Sequence, residues 1–137
     1  MRILLPSLLI FAAACTPTAR DLDRQAAVEA GDRAALDKEL AGLVPGPPQG
    51  CVQQFQLRDS KTFGDTIVYR TNGSQRYVTR TNGGCGQVAN DAYLVTRTAT
   101  GQLCRGDIAQ AINRTSQFPV GACSFGDFVP YSKPERR

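Results

Sequence analysis

The chain has 137 residues, a formal net charge of +4, five cysteines, and neither histidine nor tryptophan. The lack of histidine excludes Ser-His-Asp and Cys-His catalysis, His-ligated zinc and haem, and proton transfer by imidazole. Catalysis would need a carboxylate pair, a lysine base or a free thiol, and the spacing of the aspartates indicates no pair. We therefore expect a protein that is not an enzyme and that uses no cofactor.

Residues 1–14 have the pattern of a secretory signal peptide: Arg2, a short apolar run, and then Ala12-Ala13-Ala14. Small residues followed at once by Cys15 resemble the lipobox of bacterial lipoproteins, in which this cysteine is acylated. Ala12 stands where that pattern prefers leucine, so cleavage without acylation is the alternative. Thr16 after the cysteine favours an outer-membrane lipoprotein facing the periplasm. The alternative is a soluble periplasmic or secreted protein.

Residues 15–44 are predicted to form a helical segment or tether. Apolar residues recur there at helical spacing, and Gly31-Asp32 interrupts them. This pattern predicts two short helices, the second capped by Asp32 and ending near Gly42. It is compatible both with helices that pack on the following domain and with a free tether. Residues 45–50 are rich in proline and glycine and are predicted to be a linker.

A hairpin is the clearest signal in residues 51–133, which we predict to be a β domain. Asn72-Gly73 lies between two β-prone runs and predicts a two-residue loop. That loop would place Val68 opposite Tyr77 and Ile67 opposite Val78. Both faces of the hairpin would then carry apolar residues, so we expect it to be covered on both sides.

Other turn signals in the same region predict six or seven short strands in total. We expect turns at Asn82-Gly83 and Gly101. This pattern favours a mainly β fold, a small antiparallel β-barrel or sandwich preceded by a short N-terminal α-helical segment. The further strands are predicted at 52–58, 92–98, 102–104, 108–113 and 125–131.

Charge divides at the boundary between the two parts. Residues 15–49 carry four basic and six acidic side chains, and residues 50–137 carry eleven and six. A basic domain in the envelope favours an anionic envelope component or a protein partner, in addition to a membrane contact through the lipid on Cys15. The simpler interpretation is that the arginines are solvated charges that protect sheet edges. We expect no nucleic-acid partner for an exported chain.

Four cysteines lie in the predicted β domain, and export places them in an oxidising compartment. An even number in that setting predicts disulfides, each contributing roughly 2–4 kcal/mol to stability. A metal site is the competing interpretation, but the chain has no C-x-x-C pair and no histidine. Four cysteines leave three pairings open. The residues are Cys51, Cys85, Cys104 and Cys123.

A series of short motifs follows in order between residues 31 and 134. They are Leu40-Ala41-Gly42, Pro47, Cys51, Thr66-Ile67-Val68-Tyr69-Arg70, Leu94-Val95-Thr96-Arg97, Gln102-Leu103-Cys104, Asp107, Phe118-Pro119 and Phe125-Gly126-Asp127-Phe128-Val129-Pro130-Tyr131. In this order they resemble a family of small secreted or lipoprotein envelope proteins of proteobacteria, of the sphingomonad type. The family has no assigned activity, so the resemblance implies a place in the envelope and little mechanism.

The resemblance also implies a disulfide pairing. Similar proteins often keep counterparts of Cys51 and Cys104 while they lack those of Cys85 and Cys123. This implies the bonds Cys51–Cys104 and Cys85–Cys123.

The function that we predict is that of a non-enzymatic cell-envelope lipoprotein with a binding or structural role. The alternative is a proteinaceous inhibitor of an envelope-targeting hydrolase, either a lysozyme-like enzyme or a protease. Thr81 to Val88 is the candidate loop to plug the cleft of such an enzyme. A third hypothesis, a carboxylate-dependent hydrolase, would require two aspartates within about 5–10 Å of each other in a groove.

Overall fold

The computed structural model describes residues 17–89 and 91–135. The predicted signal peptide and the predicted lipid attachment at Cys15 lie outside the described residues. The described chain contains one helix, α1 (Ala19–Glu39), and two short 3-10 helices, Gln54–Gln56 and Gly84–Ala89. Its strands are β1 (Val44–Pro45), β2 (Cys51–Gln53), β3 (Leu57–Phe63), β4 (Thr66–Thr71), β5 (Arg76–Gly83), β6 (Ala92–Thr96), β7 (Gln102–Cys104), β8 (Ile108–Asn113) and β9 (Pro119–Ser132).

The strands pair antiparallel throughout. One curled sheet has the order β3-β4-β5-β9-β8-β6, and β1 pairs with the end of β9. The long β9 lies at its centre, since it pairs with β5 on one side and, through its first half, with β8 on the other. β2 and β7 form a separate ribbon. The sheet forms half of a barrel, which confirms the prediction of a mainly β fold with an N-terminal helix.

The inner face of the curled sheet carries the main hydrophobic core. Three aromatic rings, Tyr69, Phe125 and Phe128, pack there with centroids 5.7 to 6.3 Å apart. The ribbon of β2 and β7 closes over them through Val52 and Leu103, which are both buried. Each aromatic side chain that is buried in this way stabilises the fold by roughly 2–3 kcal/mol.

The outer face of the sheet is covered by α1. Val68 and Ile67 point to opposite faces of β4, and neither is exposed to solvent. The hairpin is therefore covered on both sides, as the sequence predicts. On the outer side, Leu36 and Leu40 of α1 line a cavity of about 460 Å³ together with Val78 and Val129. The helix is thus a second layer of the structure over its C-terminal half.

The prediction of two helices divided at Gly31-Asp32 is wrong, because α1 runs through both residues without a break. A glycine in a helix costs only about 1 kcal/mol relative to alanine, which the surrounding alanines, leucines and charged residues offset. The helix begins at a capping box in which Thr18 and Asp21 exchange backbone and side-chain hydrogen bonds. Residues 17–31 are exposed, and the half-buried positions 32, 35, 36, 39 and 40 recur at helical spacing.

The predicted hairpin forms, but its register is shifted by one residue. Val68 pairs with Val78 and Tyr69 with Tyr77, so the loop contains three residues, 72–74. The hydroxyl of Thr71 donates to the carbonyl oxygen of Gln75 at 3.0 Å and accepts from the backbone N–H of Gly73 at 3.3 Å. These hydrogen bonds of Thr71 stabilise a three-residue loop. The Asn-Gly pattern predicts a two-residue loop because it considers only the backbone conformation of the turn residues.

The other predicted elements are recovered to different degrees. β7 and β8 have the predicted bounds, β6 ends two residues early, and β9 begins six residues before the predicted strand. The predicted strand 52–58 is replaced by β2, a 3-10 helix and the start of β3. Asn82-Gly83 is not a turn, because it ends β5 with Gly83 opposite Cys123. Gly101 lies in a turn, with a φ of 70°.

Residues 45–50, predicted as a linker, run beside β9 and hydrogen-bond to it. The backbone N–H of Gly46 donates to the carbonyl oxygen of Pro130 at 2.7 Å. Gln49 and Phe128 exchange two backbone hydrogen bonds, each 2.9 Å long. The connection from α1 to the ribbon is therefore fixed along the sheet.

Candidate functional site: the open side of the half-barrel

The two disulfides join Cys51 to Cys104 and Cys85 to Cys123, which is the pairing that the resemblance implies. The first bond connects directly opposite residues of β2 and β7. The second connects the 3-10 helix Gly84–Ala89 to β9, and both of its cysteines are buried. The disulfides thus fix the ribbon and the 3-10 helix in place.

The second disulfide joins the candidate inhibitory loop, Thr81 to Val88, to β9 through Cys85. Thr81 belongs to β5 and is buried, and its hydroxyl donates to the carbonyl oxygen of Asp65 at 3.0 Å. Cys85 has no exposed surface. The 3-10 helix that follows packs against β8 and β9. This segment is therefore part of the packed body and does not project as a plug.

β3 and β6 are the two ends of the curled sheet, and they face each other across a gap. Within residues 17–89 and 91–135, no strand pairing joins them. The 3-10 helix Gly84–Ala89 packs against both strands and spaces them apart. We call β3, β6 and the gap between them the open seam. We call this 3-10 helix, which the Cys85–Cys123 bond joins to β9, the wedge.

Two adjoining cavities fill the open seam. The inner cavity, of about 200 Å³, has three leucines in its wall. Polar and charged side chains also line it, and the leucines are Leu57, Leu94 and Leu103. The outer cavity, of about 510 Å³, lies between residues 60–63 of β3 and residues 92–94 of β6. Ser60 and Leu94 line both cavities, so that together they form one groove along the seam.

Tyr69 forms part of the inner cavity wall and is the one residue there with a strongly perturbed titration. Burial raises the pKa of its hydroxyl well above the ordinary value of 10. Its side chain is 8% exposed, and that small exposed part faces the cavity. A neutral phenol in this wall offers a ligand one hydrogen-bond donor and acceptor.

Cations dominate the rim of the groove. The Lys61 ammonium lies 5.1 Å from the ring centre of Phe63, and the Arg114 guanidinium lies 5.7 Å from that of Tyr93. Arg58 borders the inner cavity. The rim also carries two carboxylates, those of Asp59 and Asp32. Asp59 is paired with Arg70 at 3.4 Å, and Asp32 lies at the end of the groove next to α1. The rim therefore has a basic balance.

The Glu39 carboxylate attaches α1 to the sheet beside this groove. It accepts two hydrogen bonds from Arg70, of 2.8 and 2.7 Å. These bonds lower the pKa of Glu39 below 4.5 and raise that of Arg70. Arg76 adds a further positive charge, with Nε 3.5 Å from the carboxylate. That nitrogen is buried and has no hydrogen-bond partner among the described residues. The cluster is a structural anchor.

A second surface feature, the β8–β9 loop, was missed by the sequence analysis. Asn113 Oδ1 accepts backbone hydrogen bonds from Thr115 and Ser116, both 2.9 Å long. The loop ends at Phe118, whose side chain is 71% exposed. Asparagine followed by Thr and Ser is a known turn signal, and it could have located this loop from sequence. The loop is a fixed, exposed hairpin tip with an aromatic residue.

Three aspartates of the predicted β domain, Asp91, Asp107 and Asp127, are engaged in separate local contacts. Asp107 accepts the backbone N–H of Cys104 at 2.8 Å, and Asp127 pairs with Arg105 at 3.0 Å. Asp91 accepts from the Thr115 hydroxyl at 3.3 Å. In the part of the chain that the structure describes, no cluster of three or more metal-ligating side chains occurs. These carboxylates hold turns and strand ends together.

No helix among the described residues combines the length and the apolar character that a bilayer crossing requires. Comparison with models of protein families gives no match for this chain. No curated protein and no solved structure matches it either.

Proposed function

We propose that the protein is a non-enzymatic lipoprotein of the bacterial cell envelope, anchored through Cys15, that binds a partner in the open seam. The observation that carries this proposal is the groove between β3 and β6. The 3-10 helix Gly84–Ala89, which a disulfide joins to β9, packs against both of these strands. A groove that is already formed loses little conformational entropy when a ligand enters it. Apolar walls with a few polar groups are the usual composition of binding sites.

The envelope location is supported by the disulfides, which indicate a protein that folds outside the cytoplasm. The exposed first part of α1, residues 19–31, would separate the β domain from the membrane by about 20 Å, at about 1.5 Å per residue. This arrangement suits an anchor at Cys15 and a site farther along the chain. Thr16 after the cysteine supports an outer-membrane position, with the groove facing the periplasm.

The anchor is tested by intact mass spectrometry of protein extracted from its native membranes. We expect a mass that includes acyl chains on Cys15, and a gain of four hydrogen atoms when the two disulfides are reduced. An unacylated protein in the soluble fraction would contradict the anchor. It would leave the binding site in the seam to be tested separately.

The binding site is tested by placing a photoreactive benzophenone residue at Thr96, which lines the inner cavity. The matched control places it at Gln110, an exposed position of β8. Irradiation of the membranes should give a discrete cross-linked product from position 96 and none from position 110. Equal products from both positions, or none from position 96, would contradict a binding role for the seam.

A second function, inhibition of an envelope-targeting hydrolase, is favoured by the exposed β8–β9 loop. Phe118 projects from a hairpin tip that internal hydrogen bonds hold in one conformation, as a cleft-plugging residue requires. The test is inhibition of lysozyme-like enzymes and proteases by the wild type, Phe118→Asp and Phe55→Asp. Phe55 is a matched control because its side chain is 77% exposed. Inhibition that only Phe118→Asp abolishes would support this function.

A further inference from the structure

We propose that the ligand of the open seam is an extended acidic peptide segment of a protein partner, which adds to β3 as a further strand. This inference rests on the proposed binding function and specifies its ligand. The strand order places β3 and β6 at the ends of the sheet, so each presents a row of backbone N–H and C=O groups to the gap. A peptide strand is the ligand that satisfies such a row along its whole length.

β3 is the edge that a peptide would use. Residues 58–61, in the middle of β3, are exposed, whereas β6 is buried at Ala92 and half-buried at the positions that follow. The register of β3 is irregular between Leu57 and Asp59, so its regular part, residues 59–63, is long enough to pair with a peptide of about five residues. The six strands in the order β3-β4-β5-β9-β8-β6 alternate in direction, so β3 and β6 run antiparallel. A strand between them would be antiparallel to one and parallel to the other.

The two sides of the groove specify the side chains of the peptide. Alternate residues of a strand point to opposite faces. One set would enter the inner cavity among Leu57, Leu94 and Leu103, so it should be apolar. The other set would face the rim, where Lys61 and Arg114 lie, so it should be acidic. Arg70 lies 3.4 Å from Asp59 and partly compensates one of the two opposing carboxylates, although its guanidinium also binds Glu39.

The basic side chains of β3 have a second explanation, since charges on an edge strand also prevent aggregation. The two explanations make different predictions. Edge protection disfavours any added strand, because pairing would bury the charged side chains of β3. A binding edge accepts an acidic strand and rejects a basic one, and the difference depends on salt.

The test uses a fluorescent eight-residue peptide of alternating glutamate and valine, with fluorescence polarisation as the readout. Three comparisons accompany it: the lysine-valine peptide, the glutamate-valine peptide N-methylated at alternate residues, and the same titration at high salt. We expect at least tenfold weaker binding in each of the three. N-methylation keeps the side chains and removes backbone donors, so it separates strand pairing from simple charge attraction.

The site is identified by a pair of charge-matched variants. Lys61→Glu with Arg114→Glu should weaken binding of the glutamate-valine peptide at least tenfold. Arg20→Glu with Arg24→Glu makes the same change in net charge on the exposed part of α1 and should leave binding within about twofold. Hydrogen exchange should show new protection of β3 amides in the complex. Equal weakening by both variants, or protection elsewhere, would overturn the proposal.

Failure of strand addition is distinguishable from failure of the binding function. A cross-linked product from Thr96 that contains a lipid or another non-peptide molecule, with no binding of the glutamate-valine peptide, would overturn strand addition and leave a seam-binding protein. The absence of both the product and the peptide binding would overturn both proposals. Binding of the lysine-valine peptide as tight as that of the glutamate-valine peptide would overturn the acidic specificity.

Discussion

At the scale of single residues, Glu39 joins two layers of the molecule that share no backbone hydrogen bonds at that point. Its side chain is 13% exposed, while that of Arg70 is 37% exposed, so solvent weakens the pair on one side only. We expect Glu39→Gln to lower the free energy of unfolding by about 1–3 kcal/mol at pH 7, the range for hydrogen bonds between charged groups. Chemical denaturation measures this change, with the exposed Asp37→Asn as control.

The same carboxylate predicts a pH dependence. The hydrogen bonds from Arg70 lower the pKa of Glu39 in the folded protein below its ordinary 4.5. Its contribution to stability is therefore complete above the unfolded-state pKa and is lost as the pH falls through the folded-state pKa. The difference in unfolding free energy between wild type and Glu39→Gln should shrink below pH 4.5. A difference that stays constant from pH 7 to pH 3 would contradict this assignment.

Replacement by alanine should have opposite effects on stability at two glycines, Gly121 and Gly31. A Cβ at Gly121 of β9 would collide with the carbonyl oxygen of Gly84, which is backbone and does not yield easily. A Cβ at Gly31 of α1 meets no atom within 4 Å. We expect Gly121→Ala to destabilise the protein by about 1–3 kcal/mol and Gly31→Ala to stabilise it by up to about 1 kcal/mol. Thermal denaturation of both variants measures these changes. Destabilisation by Gly31→Ala would contradict a continuous α1.

At the scale of elements, α1 has one half that packs and one half that does not. We expect Leu36→Ala with Leu40→Ala to cost about 2–4 kcal/mol, since both side chains are half-buried over β5 and β9. Leu22→Ala with Val28→Ala is the matched control, because both side chains are more than half exposed. The control should change the unfolding free energy by less than about 0.5 kcal/mol. Similar costs for both pairs would mean that the whole helix is packed.

The elements also show which features the sequence could predict. The bounds of β7 and β8 follow from local alternation and turn residues, which short strands carry within themselves. The continuity of α1 depends on how little one glycine costs in a helix that Leu36 and Leu40 hold against the sheet. The hairpin register depends on one hydrogen-bonding side chain, Thr71. Local rules omit both of these influences, and for that reason those two predictions were wrong.

At the scale of the whole molecule, the candidate site is a product of topology. The seam exists because β9 lies at the centre of the sheet, which leaves β3 and β6 at its ends. This order depends on pairings between residues as far apart as Arg76 and Tyr131. No local sequence pattern encodes such pairings, so the four cysteines could be identified from sequence but the groove beside them could not.

The two disulfides should differ in their resistance to reduction, and this is a prediction about the whole fold. Their sequence separations, 53 and 38 residues, give nearly the same loop entropy, about 4 kcal/mol each. Burial distinguishes them, because Cys85 and Cys123 are enclosed in the core, whereas Cys51 is exposed. We expect a mild reductant to open Cys51–Cys104 first in the native state. The other bond should open only when the molecule unfolds.

Alkylation after timed reduction, followed by peptide mass spectrometry, measures this order. If it holds, the wedge that separates β3 from β6 persists under conditions that free the ribbon of β2 and β7. Peptide binding in the seam should then weaken at the first reduction, because Leu103 of β7 lines the inner cavity, and be lost with the second. Simultaneous opening of both bonds would mean that the ribbon and the wedge unfold as one cooperative unit. In that case the groove would be as stable as the core and would be present only in the fully bonded protein.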